Sequence, residues 1–160
     1  MRKIFGLLAA GLIVILAAGC SVNINVNVNQ KTDKTAGQLL SVVMNSVQFP
    51  QTVELTDENI ITDELGIDLS LVEEYAIVQQ MLSVDVTEVI ILIAKDGAAG
   101  QLEDVLEARK ESLINDFAFY PNQVASAEGT EVGSVRNVVY LICHEDAYIA
   151  ELKLIEEVED

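Results

Sequence analysis

Two continuous runs of apolar, largely β-branched residues constrain this chain more than any other feature: Val86-Thr-Glu-Val-Ile-Ile-Leu-Ile-Ala94 and Asn137-Val-Val-Tyr-Leu-Ile-Cys143. Runs this short and this rich in valine and isoleucine read as strands. A strand with one solvated face alternates apolar and polar residues, whereas these two are apolar at odd and even positions alike. They must therefore be central strands of a sheet covered on both sides, by the first helix or by a partner on the side the other helices leave open. At 160 residues the chain has room for one such domain.

The remaining elements fall around these strands. Val72 to Leu82 carries Tyr75, Ile77 and Val78 and reads as a strand joined to the first run through Ser83-Val84-Asp85, the length of a hairpin connection. Glu131 to Val135 pairs with Asn137 to His144 in a second hairpin tightened at Arg136-Asn137. A first helix is expected from Thr35, where Thr35-Ala-Gly-Gln38 has capping-box spacing, until Phe49-Pro50 ends it. Residues 51 to 71 are turn-rich and acidic, with one short helical turn at Asp57 to Thr62 and a break at Gly66. Leu102, Val105, Leu106, Leu113, Ile114 and Phe117 have helical spacing within Ala98 to Phe117. Tyr120-Pro121 stops that helix. Asp146 is placed to cap a last helix whose Tyr148, Ile149, Leu152 and Ile155 lie towards one side. The expected fold is α+β: a repeated ββα unit forming a four-stranded antiparallel sheet with helices on one face, plus the N-terminal helix, as a two-layer sandwich.

The N-terminus reads MRKIFGLLAAGLIVILAAGC: a basic start, an apolar stretch from Ile4 to Ala18, then Gly19-Cys20. That order is the anatomy of a secretory signal; an uncleaved membrane helix is the alternative. Leu16-Ala-Ala-Gly-Cys20 resembles the lipobox of bacterial lipoproteins. The resemblance implies removal of residues 1–19 and lipidation of Cys20, with acyl chains such as palmitate as the membrane anchor on the extracytoplasmic face of the cell membrane. Two or more chains hold stably, each buried methylene contributing about 0.8 kcal/mol. Ser-Val-Asn-Ile-Asn-Val-Asn-Val-Asn then alternates strictly, but asparagine is a poor strand former and no hairpin follows. It is read as an extended tether spanning up to about 40 Å, with an added edge strand as the lesser reading. The expected division is 1–19 signal peptide, 20–34 lipidated cysteine and tether, 35–158 a single α+β domain.

Charge and residue counts narrow the chemistry. With 26 acidic against 9 basic residues the net charge is −17, so nucleic acid is repelled, as is an anionic lipid surface. One histidine and one cysteine besides Cys20 do not supply a zinc site, and the acids come as scattered pairs without a calcium loop. No metal and no cofactor is expected. Once Cys20 is lipidated, Cys143 has no partner for an intramolecular disulfide, and on a strand it points away from its neighbour His144, so the two do not form a dyad.

Taken together, the lipobox, Thr35-Ala-Gly-Gln-Leu-Leu40, Glu64-Leu-Gly-Ile-Asp68, Thr87-Glu-Val-Ile90, Ile93-Ala-Lys-Asp96, Arg109 and Tyr120-Pro-Asn-Gln123 resemble the uncharacterised lipoproteins of Gram-positive bacteria grouped as domain of unknown function 4358. The likeness runs from about Thr35 to Ile155. It carries no established activity. It implies shared positions at Glu88, Lys95, Arg109, Tyr120, Pro121 and Gln123, of which Glu88, Lys95, Arg109, Tyr120 and Gln123 are the candidate binding residues; paired structural charges are the plainer reading of the first three. Where the family often has a glycine and an aromatic residue entering the next strand, this chain has Arg136-Asn137-Val138.

The expectation for function is a non-enzymatic, membrane-anchored binding module with an envelope protein as partner, and a homodimer through an apolar sheet face as a further option. The alternatives are a small envelope hydrolase using carboxylates, with Glu88 in its site, and the ligand-capturing component of a transporter, which at this length would have one lobe instead of two.

Overall fold

A computed structural model describes residues 31–82 and 84–160. The expected signal, Cys20 and most of the tether lie outside the described residues. Both apolar runs are strands buried along their whole length, β3 (Glu88–Ala94) and β5 (Val138–Cys143). They pair antiparallel at the centre of the sheet, from Glu88 opposite Cys143 to Ile93 opposite Val138. On the outer side of β3 lies β2 (Val72–Gln80), and on the outer side of β5 lies β4 (Glu131–Val135).

The sheet has five strands, not four. Thr52–Glu54 forms β1, an edge strand pairing Thr52 with Gln80 and Glu54 with Val78. Three residues beside Pro50 carry no alternation to read, and only β2's ladder defines them. The order β1-β2-β3-β5-β4 is antiparallel throughout.

The first helix covers the second face, one of the two covers expected for it, but the last helix lies there too instead of with the others, so the sandwich has three layers. The pleat divides each central strand by parity. Ile90, Leu92 and Ala94 of β3 with Val139, Leu141 and Cys143 of β5 face α2 (Glu58–Asp63), α3 (Ala99–Ser112) and α4 (Pro121–Glu128), meeting Ile61, Leu102, Leu106 and Ala127. Val89, Ile91 and Ile93 with Val138, Tyr140 and Ile142 face α1 (Ala36–Ser46) and α5 (Ala147–Glu159). The helix after the first hairpin crosses one face and the helix after the second lies on the other. The two ββα segments are thus not copies of one unit. The face through which a second copy would pair is occupied by α1 and α5.

Local chemistry explains most boundaries. Thr35 and Gln38 form the reciprocal capping box that starts α1. Asp57 caps α2 through Asn59 N–H, and Gly66, at φ 71°, makes the break after it. β2 stops at Gln80 and β3 starts at Glu88, so the connection is longer than three residues. Val86 turns into the core while Met81, Leu82 and Val84 stay exposed. The helix after β3 ends at Ser112 and widens into a π-helical turn over Leu113–Phe117.

On α5 the buried positions are Ala147, Ala150, Leu154 and Val158; Tyr148, Ile149 and Leu152 point outwards and Ile155 packs only partly. Alanines let the helix approach α1 and the Tyr140 side of the sheet closely. Asp146 stands at the cap position without a side-chain cap bond; its N–H donates instead to His144 Nδ1 at 2.9 Å.

Candidate functional site

Glu88 opens β3 at the end of the sheet where the β2–β3 connection turns, and only 1% of it is exposed. A carboxylate that deep needs every lone pair answered. Arg109 comes down from α3 as a fork: its Nε donates to Oε1 at 2.9 Å and its Nη2 to Oε2 at 2.8 Å. Gln79, opposite Glu88 in the hairpin, donates its Nε2 to Oε2 at 2.7 Å. Burial lowers the guanidinium pKa, but its bonds to the Glu88 carboxylate and that charge outweigh it, so the net displacement is upward. With both oxygens engaged, Glu88 acts as a brace between β3 and α3.

The brace extends outwards. Arg109 Cζ lies 5.1 Å from the centre of the Phe117 ring, in cation–π range. Tyr120 and Gln123 belong to the same end. Pro121 is the first residue of α4, and the buried Gln123 accepts from the N–H groups of Phe119 and Tyr120 at 2.9 and 3.0 Å. Tyr-Pro-x-Gln is therefore a helix-start device, with proline pre-set for the first turn and glutamine reaching back. Asn122 Nδ2 donates to Val84 O at 3.1 Å, which ties the start of α4 to the β2–β3 connection. The device leaves its aromatics outside: Phe119 is 76% exposed and Tyr120 61%.

Lys95 is not part of this group. It follows β3 at the opposite end, about 23 Å away at strand rise, and its Nζ donates to Ser70 O at 2.7 Å. Four of the five residues expected by resemblance thus meet at one end of the sheet. Gln79 and Phe117 belong with them and went unread; only the hairpin register and the π-helical turn bring them there.

Cys143 sits opposite Glu88, buried, donating to Val86 O at 2.9 Å, and burial pushes its thiol up to about 11. His144 turns the other way, its ring centre 4.8 Å from Phe49. Among the described residues no group of three or more His, Cys, Asp or Glu side chains is placed to hold a metal ion. No described helix is long and apolar enough to cross a membrane.

A family model described as Domain of unknown function (DUF4358) matches residues 45–144, a span that contains Glu88, Lys95, Arg109, Tyr120 and Gln123. No curated protein and no solved structure matches the chain.

Proposed function

We propose, from the premise that the chain belongs to the DUF4358 family, that it is a lipid-anchored extracytoplasmic binding module. The anchor is Cys20, and the aromatic end of the sheet docks an envelope protein without catalysing a reaction on it. The observation that carries this reading is the placement of exposed Phe119 and Tyr120 on a rigid support. Rigid aromatics give large contact area at low entropy cost, which is the composition of binding hot spots. Position supports it too. Lys31 and Thr32, the described residues nearest Cys20 in the chain, contact Asp96 and Asn137 at the other end of the sheet. A domain held at that end presents Phe119 and Tyr120 away from its attachment.

The test is affinity capture of the lipidated full chain from cross-linked native membranes, read by mass spectrometry. Cys20→Ala serves as the unanchored control and Phe119→Ser/Tyr120→Ser as the surface control. The expected result is a protein enriched with the anchored chain and lost with the double surface variant. Capture unchanged by the surface variant, or no enrichment in cells where mass spectrometry confirms the lipid on Cys20, overturns the reading.

A further inference from the structure

A cavity of about 460 Å³ opens at the Lys95 end of the sheet, and Lys31, Lys95, Arg136 and the carboxylate of Asp96 line it together with Gly97 and Asn137. In a chain with 26 acids and 9 bases, each cation has carboxylates to choose from. Lys31 takes them, pairing with Glu73 at 2.6 Å and Asp96 at 3.1 Å. Lys95 and Arg136 do not: among the described residues no carboxylate forms an ion pair with either, and Asp68, whose carboxyl pKa is lowered chiefly by its bonds to Ser70, feels Lys95 only as a smaller and more distant charge. Lys95 Nζ donates to the carbonyl of Ser70 and Arg136 Nη2 to the carbonyl of Glu159, at 2.7 and 2.9 Å. Carbonyls hold the two side chains in place without cancelling their charge.

The backbone around the cavity adds donors of the same sign. Ala99 and Gly100 line it from the first turn of α3, where Ala98 at the cap supplies no side-chain acceptor and no acid stands in that turn. Those N–H groups and the helix dipole favour an anion. A Cβ built at Gly97 or Gly100 would meet nothing within 4 Å, so the space beside them is open. Asn137 Nδ2, buried at the cavity wall, has no acceptor among the described residues, while its Oδ1 accepts from Thr32 N–H.

We infer that this cavity is a binding site for a phosphoryl group, held by Lys95, Arg136 and the first-turn N–H groups of α3. Two unpaired cations with a backbone cradle match several oxygens around one charged centre, which a phosphate offers and a chloride does not. The same chemistry can arrive as a soluble phosphate or as a phospholipid headgroup.

The experiment uses the full chain in uncharged detergent micelles, following backbone amide shifts by NMR. One arm adds inorganic phosphate; the other adds phosphatidylglycerol to the micelles. Saturable shifts at Gly97 to Gly100, weakened roughly tenfold or more in Lys95→Gln/Arg136→Gln while its other amide shifts stay those of the folded chain, are the expected result. Saturation in the phosphate arm identifies a soluble ligand, and saturation only in the lipid arm a headgroup. Absence of saturable shifts in both arms, or equal affinity in the variant, overturns the assignment. Lys95→Arg keeps the charge and is expected to retain binding; loss of binding in that variant would overturn a site held by charge.

Discussion

The two ends of β3 carry charge in opposite conditions. At Glu88 a carboxylate is sealed from water, and a two-pronged guanidinium and an amide answer both its oxygens. Beyond Ala94, Lys95 lies exposed with its ammonium on a carbonyl, and Arg136 across the cavity has the same kind of partner. The difference separates architecture from availability. A fully answered buried charge has no capacity left for a ligand and its loss damages the fold, whereas an unpaired charge beside open space costs the fold little and keeps its capacity.

The largest expected effect lies at the closed end. Arg109→Ala leaves Glu88 buried and unpaired and is expected to remove about 3–5 kcal/mol of stability in urea denaturation. Glu88→Leu/Arg109→Met, which removes both charges, should recover most of it. A loss below about 1 kcal/mol in Arg109→Ala would mean that water reaches Glu88 and that the two ends do not differ.

Next is pH. Burial pushes the folded Cys143 thiol, opposite Glu88, up to about 11 from an ordinary 9.0, so the native state holds its proton more tightly than the unfolded chain. That contribution is complete below pH 9 and disappears as pH rises towards 11, with a slope of up to about 1.4 kcal/mol per pH unit. Tyr140, whose hydroxyl burial also shifts upward, steepens the fall above pH 10. Cys143→Ala should flatten the profile between pH 9 and 10; an unchanged profile would refute the assignment.

Gln123→Ala strips the acceptor from two N–H groups at the start of α4 and is expected to cost about 1–2 kcal/mol. It should also raise amide exchange at Phe119 and Tyr120, which tests whether the aromatic end is held rigid. Smallest is the open end: Lys95→Gln should leave the thermal midpoint within about 3 °C of the parent. A larger drop would make Lys95 a structural residue like Glu88.

Legibility followed the strength of the local signal. The two central strands stood out because seven and six successive buried positions tolerate no polar residue except one paired glutamate. Thr35 marks a helix start because capping is a short-range bond, whereas Asp146 stands at its cap position without making that bond. Edge strand β1 was invisible because it borrows its structure from β2. On α5 hydrophobicity points to the wrong face, because it ranks Tyr148, Ile149 and Leu152 above Ala147 and Ala150, while close helix approach rewards the smaller residues. Which sheet face each helix takes is settled by three-dimensional crossovers that no local pattern encodes. At the site, resemblance named Glu88 and Arg109, but Gln79 became legible only through the register that sets it opposite Glu88. The Lys95 cavity draws on chain positions as distant as Lys31 and Arg136, so no single motif announced it.

The pairing of β3 with β5 also sets an order of events in time. In chain order β3 is complete about fifty residues before the strand that covers its inner edge. Until Val138 to Cys143 arrives, Val-Ile-Ile-Leu-Ile is an uncharged, β-prone segment with one side of its ladder open, the kind of sequence that recruits other chains. The last hairpin therefore closes that edge, and α5 follows it to cover the second face. A chain released short of it would be expected to aggregate even though β2 and β3 were already paired.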